Sequence, residues 1–254
     1  MLRPAAIERP ASLSEAYALL QKPGYVAMAG CTAPGMEARS GLIGVELSHL
    51  LNSRPYQDGT AVHIPAMTTL RSLETDPLFR CGPLVILSRS VEHLLGPAFR
   101  NMATVGGTVA LHLPASELVT ALLVLGAEVV LHARGPMPLE TYLALPECSD
   151  IICEIRIGRT QSSSGFYAVR GSFTDTALLC AAACLGADGW RLAVGGRPRL
   201  AKVLTAPFSE EKPADTAQRL TELLDFGDDE KASAVYRRTI CPVVIRRAME
   251  ECLL

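Results

Sequence analysis

The sequence predicts an α+β fold: two small α/β lobes over residues 1–55 and 56–160, then a smaller sheet-and-helix domain over residues 161–254. Three observations predict it. Short apolar runs alternate with helix-patterned stretches through the first two lobes. Twice an apolar run meets a glycine-bearing turn, at residues 28–33 and 105–109, which is how a chain presents bare backbone N–H groups to an anionic ligand. A polar stretch ending in glycine, Gln161-Ser162-Ser163-Ser164-Gly165, then reads as a connector to the last domain.

In the first lobe, Ser12 and Glu15 form a capping box ahead of the apolar residues Ala16, Leu19 and Leu20, so a helix is expected over residues 13–21, stopped by Pro23-Gly24. A strand over residues 25–29 leads into the first glycine turn, and residues 41–47 supply another strand. The second lobe opens with the strand Val62-His63-Ile64 and a helix started by Thr68 and Thr69. Residues 85–95 read as a further helix. The polar approach 100–104 leads to Gly106-Gly107, which reads as a tight turn, because two residues without side chains let the backbone bend and approach a ligand closely. An ordinary turn between strands is the alternative. Pro114 and Ser116 open a helix that ends at Gly126, and the strand 128–132 follows.

Beyond the connector, residues 165–169 form a strand, residues 174–185 are apolar enough for a buried strand or helix, and residues 190–196 read as a hairpin partner. Polar helices over residues 214–224 and 229–251 close the pattern.

With 254 residues, 49% of them hydrophobic, the chain can bury a sizeable core. A net charge of −2, from 24 basic and 26 acidic residues, gives no electrostatic reason to expect nucleic acid or an anionic membrane as partner. Prolines and charges interrupt the first twenty residues, so no signal-peptide core is expected, and the best apolar stretch, residues 118–131, is cut by Gly126 and Glu128. A cytoplasmic location is the expectation. The eight cysteines form no CxxC pair and are expected as free, mostly buried thiols. The histidines at 49, 63, 93, 112 and 132 show no metal spacing, and of these only His112 lies near the second glycine turn. Neither GxSxG nor HExxH occurs, so neither a catalytic nucleophile nor a metal site is expected.

AGCTA at 29–33, RNMATVGG at 100–107 and PASE at 114–117 stand in that order, with RPASLSEAYALL, HIPAMTTLRSL and IICEIRI around them. Together they resemble the flavin-binding subunit of the molybdenum-containing hydroxylases, the medium-subunit family of xanthine dehydrogenase and carbon monoxide dehydrogenase. In that family the first loop is usually AGGT followed by Asp or Asn, the second RNxATxGGN, and the third PxSD. The resemblance covers nearly the whole chain. It implies a two-lobed FAD-binding domain of the vanillyl-alcohol-oxidase/xanthine dehydrogenase type followed by a C-terminal flavoprotein domain.

It also implies that FAD is gripped by Ala29, Gly30, Cys31, Thr32 and Ala33 of the first loop and by Thr104, Gly106, Gly107 and Thr108 of the second, chiefly through backbone N–H groups of 30–33 and 106–107. The Thr32 and Thr104 hydroxyls either add hydrogen bonds to the ligand or stabilise their turns. Glu117 stands where the family usually has the Asp that bonds the flavin's sugar-like chain; alternatively it is a first-turn carboxylate favoured by the helix dipole. Cys31, Ala33, Pro34, Thr108 and Glu117 depart from the family pattern, and each lost side-chain bond costs roughly 1 kcal/mol. The implied function is electron transfer: from a molybdopterin-containing large subunit, through a 2Fe-2S small subunit, to this FAD and on to NAD or another acceptor. The rival readings are a flavin-poor scaffold subunit of such a complex and a stand-alone flavin reductase of the same superfamily.

Overall fold

The computed structural model describes residues 4–32, 41–146, 148–159, 162–208 and 212–254. The chain divides into two compact units. The first comprises Met1–Ser72, Pro97–Leu111 and Ala127–Gly158, the second Leu73–Gly96, His112–Gly126 and Arg159–Leu254. Strands and helices are numbered in chain order.

The first unit holds two sheets. In one, β1 (Ala6–Glu8), β3 (Ile43–Glu46) and β2 (Tyr25–Met28) run parallel in the order β1-β3-β2. The connection between β1 and β2 is α1 (Leu13–Leu20), whose N-terminus carries the expected cap: Ser12 Oγ accepts from Glu15 N–H and a Glu15 carboxylate oxygen accepts from Ala11 N–H. Ala16 of α1 is fully buried in a small core with Val45, Leu47 and Ile151. The other sheet is antiparallel throughout, in the order β4 (Tyr56–Gln57), β5 (Ala61–Pro65), β8 (Ile152–Gly158), β6 (Glu128–Leu131), β7 (Gly135–Pro138). His63 of β5 ties its edge together: one ring nitrogen lies 3.0 Å from Asp58, the other 3.1 Å from Glu154, and the Tyr56 ring stacks on it. Helices α4 (Pro97–Met102), α5 (Val105–Ala110) and α7 (Leu139–Leu143) complete this unit. The chain leaves its first segment through α2 (Leu70–Thr75).

In the second unit, β9 (Ser163–Val169), β10 (Leu179–Gly186), β11 (Gly189–Gly195) and β12 (Lys202–Ala206) form an antiparallel meander in the order β12-β11-β10-β9. Helices α8 (Pro213–Thr221) and α9 (Ala234–Cys252) bury their apolar sides on the face that carries Leu179, Ala181 and Ala183. On the other face lies α6 (Glu117–Val124), with Thr120 packed so closely over Gly195 that a side chain there would overlap its hydroxyl. Helix α3 (Val85–Val91) packs beside α6. With both faces of β10 covered, its residues are apolar without alternation, so within the run 174–185 that the sequence left open between strand and helix, residues from Leu179 onward form a strand, buried over its first six residues, while residues 174–178 precede it without regular structure.

Three local expectations are corrected. Ser163, Ser164 and Gly165 begin β9 instead of forming a connector, and residues 160–161 lie outside the described set. The last helix starts at Ala234, because Ser233 caps it and Asp228 and Asp229 fold the preceding residues into a tight turn. Gly106-Gly107 is no turn but the first turn of α5. Among the described residues no helix is long and apolar enough to cross a membrane.

Candidate functional site

Two of the predicted loops meet in the first unit. Strand β2 ends at Met28, and the chain turns through Ala29 and Gly30 to Cys31, whose φ of 54° lies in the left-handed region that ordinary side chains avoid. A Cβ on Gly30 would overlap the carbonyl oxygen of Met102 and lie 2.7 Å from its carbonyl carbon and 3.2 Å from Ala103 Cα. Only glycine lets the first loop rest on the backbone that leads into the second.

The first loop has the free donors. Among the described residues, the N–H groups of Gly30, Cys31 and Thr32 donate to no backbone or side-chain acceptor. Consecutive unspent amides around a left-handed residue form a concave nest suited to a phosphate oxygen. The Cys31 thiol donates to Ala29 O at 3.5 Å; burial pushes its pKa up, and the nearby Glu46 carboxylate adds to this, so it stays a neutral thiol. Ala33 and Pro34 lie outside the described residues.

The second loop spends its donors internally. Val105 N–H donates to Thr68 O (2.8 Å), Gly106 N–H to Ala66 O (2.9 Å), Gly107 N–H to Thr104 Oγ1 (3.2 Å) and Thr108 N–H to Thr104 O (2.9 Å). Thr104 is therefore the N-cap of α5, and the cap turns the glycine pair helical. Neither glycine has a left-handed φ. Gly106 is needed for contact, since a Cβ there would lie 2.6 Å from Ala66 Cβ; at Gly107 the nearest atom would be the Thr104 hydroxyl, at 2.9 Å. Thr108 Oγ1 donates to Thr104 O at 2.8 Å, so this hydroxyl too is engaged within the turn.

Glu117 belongs to the second unit and is 1% exposed. One carboxylate oxygen pairs with Arg170 and the other accepts from Ala177 N–H at 3.0 Å. Burial pushes its pKa up to about 7 against the pull of Arg170 and the Ala177 N–H. Arg170 and Ala177 lie 53 and 60 residues away along the chain, and no local pattern announces them. His112, in the same unit, has a left-handed φ of 47° and a pKa lowered by burial. No group of three or more His, Cys, Asp or Glu residues suited to a metal ion occurs among the described residues.

A strand-end run of amides without acceptors among the described residues, on an α+β framework, is chemically suited to an anionic ligand. The model of the FAD binding domain in molybdopterin dehydrogenase matches residues 3–159. The chain belongs to this family, the FAD-binding oxidoreductase subunits of the molybdenum hydroxylases, and its cofactor is FAD. It is 24% identical over 219 residues to the carbon monoxide dehydrogenase medium chain of Hydrogenophaga pseudoflava, covering 76% of this chain and 75% of that one. Among solved structures, carbon monoxide dehydrogenase from the same organism, lacking the Mo-pyranopterin moiety of its molybdenum cofactor, superposes with a TM-score of 0.87 at 20% identity over 100% of this chain and 98% of that one. Quinoline 2-oxidoreductase from Pseudomonas putida 86 superposes with a TM-score of 0.86 at 22% identity over 99% and 98%. These superpositions establish the fold.

Proposed function

We propose that this chain is the electron-relaying flavoprotein subunit of a molybdenum hydroxylase complex working in the cytoplasm. A molybdopterin-containing large subunit oxidises the substrate, a 2Fe-2S small subunit relays the electrons, and NAD or another acceptor receives them. The carrying observation is the run of free amides at Gly30, Cys31 and Thr32, backed by the family to which the chain belongs. A relative named as a medium chain supports the multi-subunit reading, and eight free thiols suit a reducing compartment.

In this reading the 30–32 amides hold the pyrophosphate, with Ala29 before them and Ala33 after them as the sequence assigns; amides that the backbone of residues 30–32 places before binding lose little order when the ligand arrives. Thr104 and Thr108 shape the facing helical turn, Gly107 keeps its surface low, and Gly106 seats it on Ala66. Glu117 acts at one remove, bracing Arg170 and Ala177. Bound flavin supplies the redox chemistry itself, which is why the chain needs no nucleophile or metal of its own.

The test is to titrate FAD into isotope-labelled, flavin-stripped protein. One equivalent is expected to saturate it, with the Gly30, Cys31 and Thr32 amide resonances moving most; saturation with those amides unmoved refutes the assignment of the grip.

A further inference from the structure

The carboxylate beside the first loop is Glu46, which belongs to none of the three motifs that carry the resemblance. Strands β1, β3 and β2 run parallel, so Glu8, Glu46 and Met28 end together at one edge of their sheet. Met28 and Glu46 are the last register pair of β2 and β3, and Met28 O accepts from Leu47 N–H at 3.0 Å. Glu46 therefore stands one strand away from the point where the chain turns into Ala29 and Gly30. Its carboxylate is near enough to add to the upward push on the Cys31 thiol. Side chains alternate along β3: Val45 is fully buried in the core with Ala16 of α1, so Glu46 points to the opposite face.

This carboxylate is held in place. Ser48 Oγ donates to one oxygen at 2.7 Å, and Arg9 Nε, from the residue after β1, donates to the other at 2.7 Å. The Ser48 hydroxyl, with the Arg9 guanidinium, holds the Glu46 carboxyl below its ordinary range, so it is ionised. A carboxylate oxygen has room for a second donor, and the Glu46 side chain is 27% exposed, so an incoming hydroxyl can reach it. The Arg9 charge offsets that of Glu46, which keeps the carboxylate from repelling an anion in the neighbouring amides. Glu117, where the resemblance puts a sugar contact, has both oxygens engaged within the second unit.

Amides for a phosphate at the end of one parallel strand, and a fixed acceptor at the end of the next, are the two parts from which α/β sheets recognise a dinucleotide. The pyrophosphate takes the amides and the carboxylate takes a ribose hydroxyl. Neighbouring strands lie about 4.8 Å apart, a gap that a glutamate side chain spans. We infer that Glu46 accepts a hydrogen bond from a ribose hydroxyl in the adenosine half of FAD, and that Arg9 and Ser48 position it. This rests on the flavin reading of the 30–32 amides and adds the sugar contact to it.

The test titrates ADP, 2′-deoxy-ADP and 3′-deoxy-ADP into the isotope-labelled, flavin-stripped full chain. ADP is expected to move the Gly30, Cys31 and Thr32 amides and to bind about tenfold more tightly than at least one deoxy form, the worth of one hydrogen bond to a charged acceptor. Glu46→Ala should weaken ADP by the same factor and bind all three nucleotides alike. Ser48→Ala, which removes one of the two bonds that hold the carboxylate, should weaken ADP less and keep part of the preference. The wild-type comparison needs no variant, so it decides even where Glu46→Ala fails to fold. Equal binding of the three nucleotides by the wild type, no movement of the 30–32 amides with ADP, or a preference that survives in Glu46→Ala overturns the inference. Where FAD still moves those amides, the flavin reading stands without it; where FAD leaves them unmoved, both fall.

Discussion

Replacing Cys31 tests the first loop most directly. At φ 54° a side chain costs about 1–2 kcal/mol relative to glycine. Cys31→Gly removes that cost, while the freer unfolded chain returns roughly 0.5–1 kcal/mol of the gain. The net is a stabilisation of about 0.5 kcal/mol, or about 1–2 °C in Tm for a chain of this size. Cys31→Val places a β-branched side chain in the same region and should lose roughly 1 kcal/mol beyond the cysteine. If the loop is already formed before FAD arrives, the strain is present with and without ligand and cancels from the dissociation constant. Tighter binding then needs a new polar contact: Cys31→Gly with Ala33→Asn, which restores the family's polar position, should lower Kd about fivefold for one regained bond of about 1 kcal/mol. Thermal melts of flavin-stripped protein and FAD titrations followed by flavin fluorescence supply both quantities. A lower Tm for Cys31→Gly together with an unchanged one for Cys31→Val would refute the strain account.

The other glycines should separate by what faces them. Gly30→Ala and Gly106→Val meet backbone atoms or Ala66 and should cost about 1–3 kcal/mol or fail to fold; Gly107→Ala, facing one hydroxyl, should cost about 1 kcal/mol, all by chemical denaturation. Glu117→Gln leaves Arg170 without its buried partner and should destabilise by about 3–5 kcal/mol. Because the Glu117 pKa rises from 4.5 to about 7 on folding, the folded chain holds more protons between those values; this residue's contribution to stability falls as pH rises through that window, and the Gln variant should lack that slope in pH-dependent melts. The isolated chain should oxidise neither purines nor aldehydes, and turnover by metal-free protein under elemental analysis would contradict the proposed division into subunits.

What local chemistry decides was legible. Ser12 with Glu15 fixed the start of α1, and Gly126, at φ 63°, ended α6 as a C-terminal cap should. In the meander of the second unit, β9 and β11 were read as strands, β10 was left open between strand and helix, and β12 was not foreseen. The misreadings came where a partner distant in sequence decides. Gly106-Gly107 has the propensity of a turn, but Thr104 caps it and Thr68 and Ala66 accept its neighbouring N–H groups, so tertiary bonding overrides propensity. Glu117 stayed open between a ligand contact and a carboxylate favoured by the helix dipole, because Arg170 and Ala177, which take both its oxygens, are invisible from a distance of more than fifty residues. The motifs marked the candidate loops but did not reveal which of their donors were already spent.

That distinction changes what each glycine loop is for. In the first, glycine permits contact with Met102 while the amides that follow stay free; in the second, glycine permits contact with Ala66 while the amides close a helical turn. Both loops are glycine-bearing for close approach, but only one retains hydrogen-bonding capacity for an anion. An N–H bonded at 2.9 Å to a carbonyl is released to a phosphate only by breaking that bond, whereas a free N–H gives up no protein bond when it leaves water for the ligand. Affinity for the pyrophosphate should therefore concentrate at residues 30–32, the same short stretch in which this chain carries a strained cysteine.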